Sequence, residues 1–337
     1  MLLDLPELCR TPFGPSPLRR AGSIRRTSTI DETWPTGHSN PSRLFGRARD
    51  LLTPADGSAP RVLAQDELLV RHWPHRYIDQ IQLTPERPFA QQLVGLRATG
   101  QFRRDLKEIA PGEREAGTPL FLLLDDLVGI THIGGAAWSR WRGTTLSRSP
   151  SDPPNQSGVD RELAGVCIGF RAGTTALGPG APPVNICSVP PLPHPNDPEG
   201  WHDLVDLPPV SMRRARRLDV WIDEFIELES MFQDSMGEAG GGRVAVHEYC
   251  LRATVDPATR TLLSITADPR ILPYRECSAA ASNVHRLLGC PLGELREIVL
   301  TELRREAGCT HLNDALRALA EAPVLADQLF NYIGGWK

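Results

Sequence analysis

Long hydrophobic runs are absent from this chain of 337 residues. The longest, residues 120–124, is far shorter than the ~20 residues that a membrane-spanning helix needs. The first residues carry no basic segment ahead of an apolar stretch, so no secretory signal is expected. The net charge of −4 is small and gives no reason to expect a nucleic-acid partner. These absences predict a cytoplasmic protein that binds neither membranes nor nucleic acids, with a small molecule or another protein as its unknown partner.

An even set of cysteines, as a disulfide framework would use, is also lacking. The chain has seven cysteines, and thiols stay free in a reducing compartment. Six of the seven follow residue 160. This asymmetry directs the search for chemistry to the second half of the chain.

The length fits two domains of about 130 residues and a connector, and the sequence contains an internal repeat. Residues 23–31 read SIRRTSTID and residues 211–219 read SMRRARRLD, and a tryptophan follows each, Trp34 and Trp221. The repeat predicts five segments: a flexible arm at 1–22, a first, degenerate copy at 23–146, a connector at 147–210, a second copy at 211–322 and a C-terminal tail at 323–337. The connector holds 13 of the 31 prolines, a density that excludes interior helix and central strand. Within it, residues 163–170 are apolar enough to predict a short strand.

Each copy is expected to have an α+β fold, in which an antiparallel sheet of about four strands precedes about three helices. In the second copy, alternation of apolar and polar residues predicts strands at 213–222, 225–235, 244–255 and 261–267. Helical spacing of apolar residues then predicts helices around 280–288, 292–303 and 312–319. The two copies are expected to pack as a pseudo-dimer across a seam that contains Trp138 and Trp141.

Four arginines in the first strand of the second copy, at positions 213, 214, 216 and 217, form the most basic stretch of that copy. Alternation along a strand places Arg214 and Arg216 on one face and Arg213 and Arg217 on the other. They therefore do not form one basic patch, and we expect a solvated strand segment.

Four residues with metal-ligand side chains stand at places that can converge in the second copy: His247 in a strand, Cys277 at the start of one helix, and Cys309 and His311 at the start of another. With Thr310 as N-cap, Cys309 would lie beside unsatisfied backbone N–H groups, which favour a thiolate. The spacing matches no compact zinc finger. The alternative is that both cysteines are small buried residues and that His311 is exposed.

The stretches HEYCLRATVD at 247–256, PYREC at 273–277 and GCTHL at 308–312 resemble the bacterial family catalogued as domain of unknown function 2889. The resemblance covers the second copy, and the whole chain looks like a long, duplicated form. The family implies no activity.

A weaker similarity links the second copy to NifU-like iron–sulfur scaffold proteins, which also place a cysteine before an Ala/Ser-rich helix and a Cys/His pair before a last helix. The chain departs from them because its closing pair is Cys-x-His and no cysteine precedes His247. This likeness implies a mononuclear Zn or Fe site, or an iron–sulfur cluster, held by His247, Cys277, Cys309 and His311.

Two other functions remain open. A metal-dependent or cysteine-dependent enzyme could use Glu248 or Asp234 as acid or base, with Arg213 or Arg275 holding a small anionic substrate. The last alternative is a non-catalytic interaction module. The first copy fits every one of these functions as the packing partner of the second.

Overall fold

In a computed structural model the chain is described over residues 11–141, 164–177 and 184–333, with the side chains of 136–141 left out. Nine strands form one antiparallel sheet in the order β4-β3-β2-β1-β6-β7-β8-β5, with β9 also on β8. The strands are β1 Ser23–Thr33, β2 Ser42–Thr53, β3 Arg61–His72, β4 Ile78–Thr84, β5 Cys187–Val189, β6 Ser211–Ile222, β7 Ile226–Gly237, β8 Arg243–Val255 and β9 Leu262–Ile271. The expected α+β class with a large antiparallel sheet is confirmed.

The α-helices of the described residues are α1 Gly100–Ile109, α2 Pro111–Glu115, α3 Pro119–Trp141, α4 Leu295–Glu302, α5 Thr310–Ala318 and α6 Ala322–Ile333. The predicted helix around 280–288 is instead a 3-10 segment, Arg275–Leu287. Helix α6 lies in the segment predicted as a tail, and its buried residues include Leu325 and Leu329. None of the helices in the described part of the chain is both long and apolar enough to cross a membrane.

Strands β1–β4, here called the first sheet half, and strands β6–β9, the second sheet half, meet at the β1–β6 pair. These two strands pair over their full lengths, from Ser23 opposite Trp221 to Thr33 opposite Ser211. The described contact between the halves is therefore a continuous backbone ladder. The side chains of Trp138 and Trp141, the expected seam, lie outside the described residues.

The two faces of the sheet are covered by different parts of the chain. Helix α3 and the C-terminal helices pack on one face and form two large apolar clusters with it. On the other face, Trp201 and Leu192 from the connector pack with Ala215 and Met231 of the sheet. The apolar island around 168 contributes a 3-10 turn, Ile168–Phe170, and not the predicted strand.

Covering both faces buries the arginines of β6, so the expected solvated segment is wrong. Arg214 and Arg217 are at most 1% exposed. On the connector face, Arg213 makes a bidentate pair with Asp31 at 2.6 and 2.9 Å. The arginines can be buried on both faces of the sheet because each guanidinium has a carboxylate partner.

Candidate functional site

The site begins at a buried ion pair between β6 and β7. Arg214 donates from Nε to Asp234 Oδ1 at 2.9 Å and from Nη2 to Oδ2 at 3.1 Å. Its Nη1 donates to Asp314 of α5 at 2.9 Å. Burial alone would raise the pKa of Asp234, but the Arg214 guanidinium and the neighbouring His247 together lower it. Asp234 is therefore an anion, fixed in place by a cation.

Two histidines lie next to this carboxylate. His247 of β8 is directly opposite Asp234 in the strand register, at a bulge of the β7–β8 ladder. His311 reaches it from the first turn of α5, and the two rings stack with centroids 3.3 Å apart and an interplanar angle of 17°. His247 Nδ1 lies 3.3 Å from Asp234 Oδ2 but has no partner in hydrogen-bond geometry.

Both imidazoles are held in their neutral form. Burial lowers the pKa of His247 even though Asp234 favours its protonation. Burial and then the neighbouring His247 lower the pKa of His311 well below its usual value. Neutral imidazole is the form that donates a lone pair to a metal ion.

Ligand-type atoms of Asp234, His247 and His311 all lie within 4.8 Å of one another. Among the described residues, this is the group of three or more histidine, cysteine or acidic residues whose ligand atoms come this close together. The group contains no cysteine. Of the four residues expected to converge, the structure thus brings His247 and His311 together and adds Asp234, which was expected only as an acid or base.

Cys277 and Cys309 lie in the apolar core beside the histidines, 5% and 2% exposed. Cys309 itself is the N-cap of α5, one residue before the expected cap. Burial raises the pKa of Cys309 to about 11, although backbone N–H groups of His311 and Leu312 act in the opposite direction. In the metal-free chain, loss of hydration outweighs the helix N–H groups, so the helix start alone does not produce the expected thiolate.

A third thiol, Cys167, belongs to the same region and was not singled out in the sequence. A Cβ placed on Gly169 would lie 2.6 Å from Cys277 Sγ and 3.8 Å from Cys167 Sγ, so both sulfurs flank one point. Burial, then Cys309 and Cys277, raise the pKa of Tyr249 well above its usual value. Its hydroxyl faces these thiols, two residues along β8 from His247, and has no partner in regular hydrogen-bond geometry among the described residues.

The remaining acid, base and anion-binding residues expected from the sequence lie away from the histidines. Glu248 is on the opposite face of β8, where it accepts from Gln233 Nε2 at 2.6 Å and from the Phe13 N–H at 2.6 Å. Arg213 is used by Asp31 on that same face, and Arg275 is exposed at the start of the 3-10 segment. Strand alternation separates Glu248 from His247, as it must for adjacent residues.

Asp314 and Arg214 are the parts of the site that sequence reasoning missed. Asp314 follows His311 by three residues, a spacing that places both on one helix face. That spacing is a signal that the sequence contains. For Arg214 no local signal distinguishes a buried arginine from a solvated one.

The site belongs to an α+β protein that holds a buried carboxylate and two neutral imidazoles between sheet and helix. Residues 212–325 match the model of the family described as "Protein of unknown function (DUF2889)". The match begins in β6, ends in α6 and supports the family resemblance of the second sheet half. No curated protein and no solved structure matches the chain.

Proposed function

We propose that the second sheet half binds one divalent transition-metal ion, zinc or iron(II), through Asp234, His247 and His311. The observation that carries this proposal is the mutual approach of their ligand atoms to within 4.8 Å. Two imidazoles and a carboxylate form a donor set that suits Zn²⁺ and Fe²⁺. The Arg214 pair and the β7–β8 register keep the carboxylate in place, as hydrogen bonds to a metal ligand usually do.

The stacked rings must adjust for an ion to bind. Metal–nitrogen bonds of about 2.0–2.1 Å lie in the plane of each imidazole, whereas stacked rings direct their lone pairs in parallel. His311 is half-buried on the first turn of α5, so its ring is the one that can turn. Metal binding then requires rotation of the His311 side chain.

A metal-dependent enzyme is the second candidate function, and the ligand number favours it. Three protein ligands leave one coordination position open, as in catalytic zinc sites, whereas structural sites use four. Arg214 cannot hold a substrate anion, because its guanidinium is fully occupied by Asp234, Asp314 and Asp126.

Metal content and zinc affinity test the proposal. The parent protein should contain about one ion per chain by elemental analysis, and the stripped protein should bind added Zn²⁺ in a calorimetric titration. His311→Ala should weaken this binding by more than about 100-fold, since removing even a supporting residue costs 10–100-fold. The matched control is His285→Ala, which changes an exposed histidine of the 3-10 segment. Equal zinc affinity in His311→Ala and the parent would contradict the proposal.

The thiols require a separate comparison, because the four-ligand site of His247, Cys277, Cys309 and His311, holding Zn, Fe or an iron–sulfur cluster, stays a prediction. If Cys309 is a ligand, Cys309→Ser should lower metal content as strongly as His311→Ala. If the ligands are Asp234, His247 and His311, Cys309→Ser should keep the metal. Cys290→Ser is the control for the loss of a thiol. Cys290 is half-buried and directly precedes Pro291.

We also propose that the two sheet halves are copies of one ancestral unit. The repeat in the sequence makes Ser28 equivalent to Arg216, and these two residues face each other in the β1–β6 ladder. The pairing is therefore the one that a two-fold axis through this point would produce. Arg25 with Asp219 and Arg213 with Asp31 are equivalent pairs under the same operation. Superposition of β1–β4 on β6–β9 tests the idea, and dissimilar bulge positions would contradict it.

A cytoplasmic location is part of the proposal. The six cysteines of the described residues are free thiols, the state that a reducing compartment maintains. Fractionation of cells that produce the tagged chain would test it, and recovery outside the cytoplasm would contradict it.

A further inference from the structure

Arg76, in the turn between β3 and β4, has a strained backbone and an uncompensated charge. Its φ of 67° is in the left-handed region, which a non-glycine residue adopts at a cost. The side chain is half-buried, yet within the described residues it makes no ion pair or hydrogen bond. Loss of hydration and then the nearby Arg97 lower the pKa of Arg76, so its closest charged neighbour has the same sign.

This arginine lines a pocket of about 280 Å³ at the end of the first sheet half. The pocket is walled by the ends of β1, β2 and β3 and by α3, and its lining is mostly polar. Residues that matter for recognition are Glu32, Ser42, His72, Arg76, Thr131 and His132. A polar pocket with few apolar walls favours a small hydrophilic ligand over a lipid or an aromatic compound.

The other charges of the pocket cancel. His72 Nε2 lies 2.9 Å from Glu32 Oε1 and 2.6 Å from Ser42 Oγ, and all three side chains are buried. Burial alone would lower the pKa of His72, but its hydrogen bond to Glu32 raises it. Its Nδ1 lies 2.9 Å from the Trp73 carbonyl oxygen and its Nε2 faces the Glu32 carboxylate. Because both ring nitrogens face acceptors, the ring is an imidazolium, which neutralises that carboxylate. Arg76 therefore remains as the net positive charge of the pocket.

Glu32 holds the histidine of the pocket and does not itself face a ligand. Its Oε1 is used by Ser42 and His72. Its Oε2 is buried against α3, where a Cβ on Gly134 would lie 2.0 Å away. Recognition of an anion in this pocket therefore rests on Arg76.

We propose that this pocket binds a small hydrophilic anion through its carboxylate or phosphate group, with Arg76 as the anion-binding residue. Arginine suits this role because its planar donors match carboxylate and phosphate oxygens. The inference assigns a ligand site to the half of the chain expected to be degenerate. It does not depend on the proposed metal site.

Calorimetric titration of the full chain with lactate, acetate and inorganic phosphate tests the site. We expect saturable binding of phosphate or of a carboxylate. Arg76→Gln should weaken binding about tenfold or more, the usual loss for a hydrogen bond to a charged group. Arg97→Gln is the matched control, because it removes an exposed neighbouring charge that does not line the pocket.

Three outcomes would overturn the inference: no binding of any of these anions, equal binding by Arg76→Gln and the parent, or equal loss in Arg97→Gln. A stability measurement separates binding from structure. Arg76→Gly should relieve backbone strain and raise Tm by about 2 °C while abolishing binding, and Arg305→Gly, at φ 52° on the surface, should raise Tm and keep binding. A lower Tm for Arg76→Gly would assign the arginine a structural role instead.

Discussion

Asp50 in the first sheet half and Asp234 in the second occupy matching places. Each lies at a bulge in its sheet and accepts two hydrogen bonds from a buried arginine, Arg26 or Arg214. The residue opposite Asp234 is His247, whereas the residue opposite Asp50 is Ala64. The same Arg–Asp pair thus exists with and without an adjacent imidazole, which indicates that the pair belongs to the architecture. The histidine is specific to the half with the proposed metal site.

The pair in each half is part of one buried network that links the sheet to α3 and the C-terminal helices. Its ion pairs connect Arg26, Asp50, Glu321, Arg296, Asp125, Arg317, Arg103, Asp314, Arg214, Asp126, Arg216 and Asp234 in a continuous set. Cations and carboxylates in this set are equal in number. A neutral network tolerates burial, because every charge removed from water has a counter-charge nearby.

The largest effect is expected when the carboxylate of the buried Arg–Asp pair is removed from each sheet half in turn. Asp50→Asn and Asp234→Asn should each lower the free energy of unfolding by about 3–5 kcal/mol, because each leaves a buried guanidinium without its main counter-charge. Denaturant unfolding measures both losses. Only Asp234→Asn should also lower zinc affinity.

Arg20 and Asp223 provide the control for that pair of variants. Their side chains are both more than half exposed and lie 2.9 Å apart, so Asp223→Asn should cost at most about 1 kcal/mol. If Asp50→Asn cost no more than Asp223→Asn, the architectural role of the pair would be refuted.

A smaller effect is expected where α3 crosses the arginine of the second half. A Cβ at Gly129 would lie 1.6 Å from Arg214 Nη1, whereas a Cβ at Gly135 meets nothing within 4 Å. Three carboxylates hold that guanidinium, so it cannot move aside at low cost. Gly129→Ala should destabilise by about 1–3 kcal/mol as overpacking does, and Gly135→Ala should stabilise by about 0.5–1 kcal/mol as a helical alanine. Thermal unfolding of both variants measures these changes. An unchanged stability of Gly129→Ala would mean that the Arg214 guanidinium can move aside.

The second sheet half was the part of the fold that the sequence predicted best. All four strands from β6 to β9 are confirmed, with ends that differ by a few residues, because the alternation of residue types along a strand is a local signal. The covering of both sheet faces was not predictable in this way. It depends on connector residues such as Trp201 that are close to β6 and β7 only in the folded chain.

The same limit explains the candidate site. His247 and His311 were recognised as residue types at promising positions, and the fold brings them together across 63 intervening positions of sequence. Asp234 joined them through strand register, which alternation alone does not fix. Burial set the sign of the Cys309 pKa shift, and burial depends on packing that no helix-start argument contains.

The smallest expected effect concerns Tyr249. In the strand register Tyr249 corresponds to Asp66 of the first half, because each lies two residues beyond the residue opposite the bulged aspartate. Asp66 accepts from Arg87 and from the Leu120 N–H, whereas the Tyr249 hydroxyl has no partner in regular hydrogen-bond geometry among the described residues. Tyr249→Phe keeps the ring and removes an unsatisfied buried group, so the free energy of unfolding should stay the same or rise by up to about 1 kcal/mol. Asp66→Asn, by contrast, should destabilise, because it weakens two occupied hydrogen bonds. A loss of more than about 1 kcal/mol in Tyr249→Phe would show that the hydroxyl donates to the Cys309 thiol after all, and would make the thiols part of a bonded network beside the histidines.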